Sequence, residues 1–224
     1  MTGTAARLDL PGLARWAAEE SALFASQGSP FQAAVSSGAP RLVLVVGENA
    51  SGKSLLCRMV CLLARNKGAL VVPISLRERT APGIARALMF GDENYSSTGA
   101  ISAQVVQDAF KNLDRPQGSV LALDEPELGL SDGYARALGE YIGTEAKGVP
   151  KACSGVIVVT HSRGLARGLV AAYGATPTFV AVGTAPARFE DWLDAPEHRS
   201  VADLLALPET GLERLRSAAA IMGQ

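Results

Sequence analysis

The chain has 224 residues, 48% of them apolar and 19% charged, and 21 basic against 22 acidic side chains leave a formal charge of −1. This balance is that of a folded globular protein and excludes a disordered scaffold, a collagen-like chain and a basic nucleic-acid-binding tail. A chain this long builds its core without disulfide staples, and one domain with modest extensions is expected.

Pro11–Gln27 reads as an amphipathic helix carrying Leu13, Trp16, Ala17, Leu23 and Phe24, and a Ser-, Gly- and Pro-containing stretch follows from Gly28 to Pro40. Runs rich in Val, Leu and Ile then recur at 41–46, 69–74, 119–123, 155–160 and 178–182. Helical patterns lie between them near 52–66, 80–90, 101–113, 132–147 and 163–173. Continuous apolar strands alternating with helices predict an α/β fold: a mainly parallel central sheet flanked by helices, with ligands at the carboxyl ends of its strands. After Gly183 come Trp192 and Leu193, an apolar run at 201–207 and a helical pattern from Pro208 to Met222. Residues 1–40 are therefore expected to form an N-terminal helix and linker packed on a core of 41–183, with 184–224 a C-terminal helical extension of the same domain.

Cys57, Cys61 and Cys153 form an odd set without further metal-ligand spacing and are expected to be buried reduced thiols. The N-terminus has no continuous apolar signal segment, and no apolar run approaches the ~20 residues of a membrane helix. A cytoplasmic protein without membrane insertion is the expectation.

Three segments carry chemistry. Gly47-Glu48-Asn49-Ala50-Ser51-Gly52-Lys53-Ser54 fits G-x-x-x-x-G-K-[ST], directly after one strand and opening a helix. Its glycines let successive N–H groups turn toward phosphate oxygens, and the helix N-terminus adds partial positive charge. Lys53 would reach the β- and γ-phosphates of a nucleoside triphosphate, and Ser54 would ligate Mg²⁺. The apolar strand ending at Leu123 delivers Asp124 and Glu125 side by side, an arrangement suited to holding Mg²⁺ and to activating an attacking water. His161 follows a third apolar strand at the same end of the sheet and is placed to donate to a γ-phosphate. Upstream of the loop stand Phe24, Phe31 and Trp16, the aromatics to which an adenine-stacking role would fall, with no choice among them in the sequence.

Taken together, GENASGKS, LALDEPELGLS and VVTHS resemble the ATP-binding-cassette class of P-loop ATPases over about Arg41 to Gly183. The resemblance implies a P-loop NTPase fold and Mg²⁺-dependent ATP hydrolysis in a head-to-tail homodimer. It makes Leu130-Ser131-Asp132 the equivalent of the D-loop and His161 the switch histidine. The Leu-Ser-Gly-Gly-Gln signature is missing, and Tyr95-Ser96-Ser97-Thr98-Gly99 is the best substitute. Ser97 and Gly99 would then meet nucleotide on the opposite protomer, with Ser102 assisting from the first helical turn. The interval from Lys53 to Asp124 is short, which implies a reduced helical subdomain, and a clear Q-loop is missing. These departures favour the soluble branch of the class, serving DNA repair or defence, over the alternatives of a transporter subunit or a small-molecule kinase. An unidentified protein partner would read the cycle. Nucleic acid is not evident in the sequence, beyond a conceivable surface of Lys147, Lys151, Arg163 and Arg167.

Overall fold

The computed structural model describes residues 8–25, 29–75, 97–111, 113, 118–196 and 199–222. The expected helix at 80–90, the charged loop with Arg77, Glu78 and Arg79, the residues Tyr95 and Ser96, and His198 lie outside them.

All five apolar runs form strands. They are β2 (Ala39–Gly47), β3 (Leu70–Ser75), β4 (Ser119–Asp124), β5 (Cys153–Thr160) and β6 (Pro177–Val182), and a short β1 (Ala33–Ser36) precedes them. One six-stranded sheet results, ordered β1-β6-β2-β5-β4-β3. Every pairing is parallel except the edge pair β1–β6. The middle strands are buried along their length, so they read as unbroken apolar runs rather than as alternation.

Strand side chains alternate between two helical layers. On one face Leu42, Leu44, Leu121, Leu123, Val156 and Val158 meet α4 (Thr98–Lys111), α5 (Asp132–Gly148), α6 (Arg163–Tyr173) and α7 (Phe189–Asp194). On the other, Val43, Val45, Val120, Ala122, Ile157 and Val159 meet α1 (Leu10–Glu19), α2 (Ala22–Ala25), α3 (Lys53–Asn66) and the buried Ala218 of α8 (Val201–Met222). Each fully buried Leu or Val contributes about 1.5–3 kcal/mol relative to its exposed state.

Helix ends follow local chemistry. The Asp9 carboxylate accepts from the Gly12 N–H at the start of α1, where Pro11 needs no donor of its own. Ser162 Oγ accepts from the Leu165 N–H to open α6, and Gly174, left-handed at φ 78°, closes it. Helices α5 and α6 approach closely because Gly139, Gly143 and Gly168 stand at their crossing. A Cβ at Gly139 would lie 2.0 Å from the Leu165 carbonyl oxygen, and one at Gly168 would lie 2.2 Å from that of Arg136.

The structure differs from the sequence reading at the two ends. The N-terminal helix is two helices broken at Glu20–Ser21, and its Trp16 stays 45% exposed while Leu13, Ala17, Leu23 and Phe24 are buried. The tail is one helix through Pro208 rather than a run followed by a helix. Trp192 tucks into the core against Phe179 and Phe189, with the Arg163 guanidinium stacked over its ring. Arg163 also donates to the carbonyls of Leu193 and Ala195, and Arg167 to that of Leu193, so both pin α7. All three cysteines are free and buried.

Candidate functional site

Strand β2 runs straight into the 47–54 loop. Ala50 and Gly52 take left-handed backbone angles there, φ 58° and 100°, and the chain curls before α3 begins at Lys53. Alternating backbone hand of this kind turns successive N–H groups into a concave, anion-attracting surface. Glycine is required at 52 for a second reason: a Cβ would lie 2.7 Å from the Phe31 ring. Phe31 and Phe24, ring centroids 5.7 Å apart, are both buried. Phe31 is the floor under the loop with Phe24 packed against it, and neither offers a face to an adenine. Trp16 sits instead beside Leu63 and Lys67, at the C-terminal end of α3. None of the three aromatics is therefore presented at the loop.

Lys53 is buried although it is a cation, and its Nζ donates to the Glu48 carbonyl at 2.7 Å, closing the loop on itself. Ser54 Oγ donates to Asp124 Oδ1 at 3.1 Å. Two oxygens about 3 Å apart match the edge of an octahedral Mg²⁺ shell, whose metal–oxygen distances are about 2.0–2.1 Å. Among the described residues no group of three or more His, Cys, Asp and Glu side chains is arranged to hold a metal alone. The pair Ser54–Asp124 fits an ion that brings phosphate oxygens and water as its other ligands.

Because β5 lies between β2 and β4, its C-terminal end delivers His161 between the loop and the acidic strand. Glu125 leaves β4 with φ 53°, a left-handed conformation that costs a non-glycine residue about 1–2 kcal/mol. Its N–H still donates to the Val159 carbonyl at 2.9 Å, so the sheet holds the turn. Glu125 and Glu127 are both buried. His161 Nδ1 faces them at 3.7 Å and 3.9 Å, ion-pair distances too long for full hydrogen bonds. The Thr160 hydroxyl donates to Glu127 Oε1 and accepts from the Ser162 N–H. Among the described residues, Glu127 Oε2 and Ser51 Oγ are buried without a hydrogen-bond partner. Such an orphan costs on the order of 1–3 kcal/mol, a penalty that a bound polar group removes.

These contacts set the charges. The close approach of Glu125 is the main force raising the His161 pKa above the ordinary 6.5; Glu127 adds to it, while burial and Lys53 oppose. Burial pushes the Glu127 carboxyl upward, with the Thr160 hydroxyl as the main opposing contact. The imidazolium therefore persists to higher pH than in an ordinary histidine. Glu127→Gln is expected to move the His161 titration to lower pH, and Glu125→Gln to move it further. With only two histidines in the chain, ring C–H resonances followed by NMR against pH, with His198→Ala for assignment, read this directly.

The other expected site residues fall as follows. Gly47, Glu48 and Asn49 line a cavity of about 1180 Å³ together with Glu127, His161 and Arg199. Lys53 and Ser54 lie outside this lining, so the volume marks the approach to the loop, and the hydrogen bonds mark the chemistry. Ser97 and Gly99 do not line it either. Ser97 Oγ accepts from the Ala100 N–H to cap α4, and Gly99 packs where a Cβ would lie 2.8 Å from the Gly129 carbonyl oxygen. Ser102, expected to assist a phosphate, is fully buried and donates to the carbonyls of Leu128 and Thr98, a fold contact that removes it from that role.

Residues beyond the expected set also reach the loop. Arg199 pairs with the Glu48 carboxylate, and Arg214 Nη1 donates to the Ala50 carbonyl at 3.0 Å. Glu127 is visible in the acidic run itself, whereas nothing in local spacing marks Thr160, Arg199 or Arg214. No family model, curated protein or solved structure matches the chain.

Proposed function

We propose that the chain is a P-loop ATPase of the ATP-binding-cassette type that hydrolyses ATP with Mg²⁺ and dimerises on binding it. The observation that carries the reading is the convergence of Ser54, Asp124, Glu125 and His161 at one end of the sheet, with Ser54 Oγ and Asp124 Oδ1 3.1 Å apart. In this reading the curled loop and Lys53 bind the β- and γ-phosphates. Ser54 and Asp124 hold Mg²⁺, which supplies Lewis-acid stabilisation of the charge on the transferring phosphoryl group. Glu125 accepts the proton of the attacking water, since its carboxylate is buried and held by a turn that the sheet fixes. His161, its Nδ1 facing Glu125, orients the ring toward the γ-phosphate.

Water activation by the Glu125–His161 pair favours hydrolysis over phosphoryl transfer to a small-molecule acceptor. Of the expected signature, Gly99 is buried and falls out of the contact, and the exposed Ser97 is the residue that meets the nucleotide of a second protomer in this reading, which makes the site whole only in the dimer. The cellular process, a cytoplasmic location and a protein that reads the cycle belong to the same proposal. It is tested by titrating labelled ATP with Mg²⁺ into the wild-type chain and into Lys53→Ala. Saturable binding in the wild type, weakened roughly 100-fold or more in the variant, is the expected result, because a buried cation otherwise paired with phosphate is lost. Equal affinity in both chains would sink the phosphate-loop assignment.

A further inference from the structure

Helix α8 has two unlike faces. Its inner face settles on the loop and the core: a Cβ at Gly211 would lie 3.5 Å from the Ala50 Cβ, Arg214 donates to the Ala50 carbonyl, and Ala218 is buried in the second core layer. Its outer face carries Val201, Leu205, Pro208, Leu212, Leu215 and Ala219, all exposed. Val201 is 73% exposed, Leu205 75% and Leu215 62%. Apolar residues this bare on the outside of a folded chain mark an interface rather than random surface.

The spacing says what covers it. The intervals along this stripe alternate four and three residues from Val201 to Ala219. That is the heptad spacing by which one helix seats its side chains against another, and Leu204, 65% exposed, widens the stripe at its N-terminal end. The flank of the stripe carries Glu209 and Arg216, one heptad apart and of opposite sign. In an antiparallel pair, positions of this type face one another. Setting Leu212 beside Leu215 of a second copy brings Glu209 of each helix near Arg216 of the other. It also sets Pro208, which bulges, opposite Ala219, which is small. A parallel pair gains neither match.

We infer that α8 is a self-complementary dimerisation helix, pairing antiparallel with α8 of a second copy of this chain through the Val201–Ala219 stripe and two Glu209–Arg216 contacts. The interface is isologous, the commonest form of closed symmetry. It forms without nucleotide, and it holds the helix whose other face rests on the 47–54 loop.

The test is the mass of the full chain by light scattering in nucleotide-free buffer over a dilution series. A dimer that dissociates on dilution is expected. Leu212→Asp should weaken it at least about 100-fold, since the stripe loses a leucine from both copies. Leu212 is exposed in the single chain, so the fold survives the change, and circular dichroism checks it. Glu209→Arg alone should weaken association roughly tenfold by setting like charges together, and the double swap Glu209→Arg with Arg216→Glu should restore it. A monomer at every concentration overturns the proposal and leaves the stripe to a different protein. A dimer indifferent to the swap overturns it as well, because the helices then meet elsewhere. ATP plays no part in any arm, so neither failure bears on the ATPase reading.

Discussion

Glu125→Gln is expected to reduce Mg²⁺-ATP hydrolysis by about 100- to 10,000-fold while leaving ATP affinity close to that of the wild type. The amide keeps the volume and the buried position of the carboxylate but cannot take a proton from water. Its loss also removes the strongest influence on His161, so residual activity should show an altered pH profile. ATP that is bound and not hydrolysed should hold the proposed head-to-tail dimer together. In a chain that also carries Leu212→Asp, which silences the α8 stripe, the mass should double on adding ATP with Mg²⁺ and stay single without it. A hydrolysis rate unchanged by the amide would move the base elsewhere and remove the mechanistic role given to the turn after β4. A chain that binds ATP tightly, loses hydrolysis and stays single would keep the catalytic assignment and overturn the ATP-dependent dimer.

The second large effect concerns stability. Gly139→Val should destabilise the fold by about 3 kcal/mol or more, at the upper end for overpacked cores, because the added carbons meet backbone and not a movable side chain. The Cβ alone would lie 2.0 Å from the Leu165 carbonyl oxygen and 2.9 Å from the Leu169 nitrogen. Relief requires α5 and α6 to separate along a crossing where Gly143 and Gly168 are equally tight. Since α6 begins two residues after His161, the same separation would also displace that histidine. Chemical denaturation of Gly139→Val against wild type, with Gly133→Ala as a control at a site with open space, measures the difference.

Much of this architecture is legible in the residues alone, for a physical reason. Strands of a buried parallel sheet are apolar on both faces, so β2 to β6 announce themselves as unbroken runs. The edge strand β1, Ala-Ala-Val-Ser, is half-buried throughout and only four residues long, and it carries no comparable signal. The break between α1 and α2 is hidden because apolar residues continue on both sides of Ser21, whose hydroxyl bonds back to the Ala17 carbonyl. Pro208 suggests a helix start, yet α8 carries the proline inside its length. At the site, the motif residues Ser54, Asp124, Glu125 and His161 converge because each stands at the carboxyl end of a strand or the first turn of a helix. The fate of Ser102 and the aromatics is set by tertiary packing: a serine in the first turn can face a ligand or a carbonyl of the next turn, and only the path of 128–130 decides. The contacts of Arg199 and Arg214 span more than 150 residues of sequence and have no local signature.

Those two arginines carry one more implication. The 47–54 loop contains a carboxylate, Glu48, and a carbonyl at Ala50 that accepts from Arg214, both of the sign that repels an anion. Arg199 and Arg214 answer them from the far end of the chain. A chain shortened before Arg199 would keep every residue of the 47–54 loop and most of both core layers, yet that loop would greet an anion with an unscreened negative edge. The recognisable motif is thus only half of an electrostatic device whose other half is written last in the sequence.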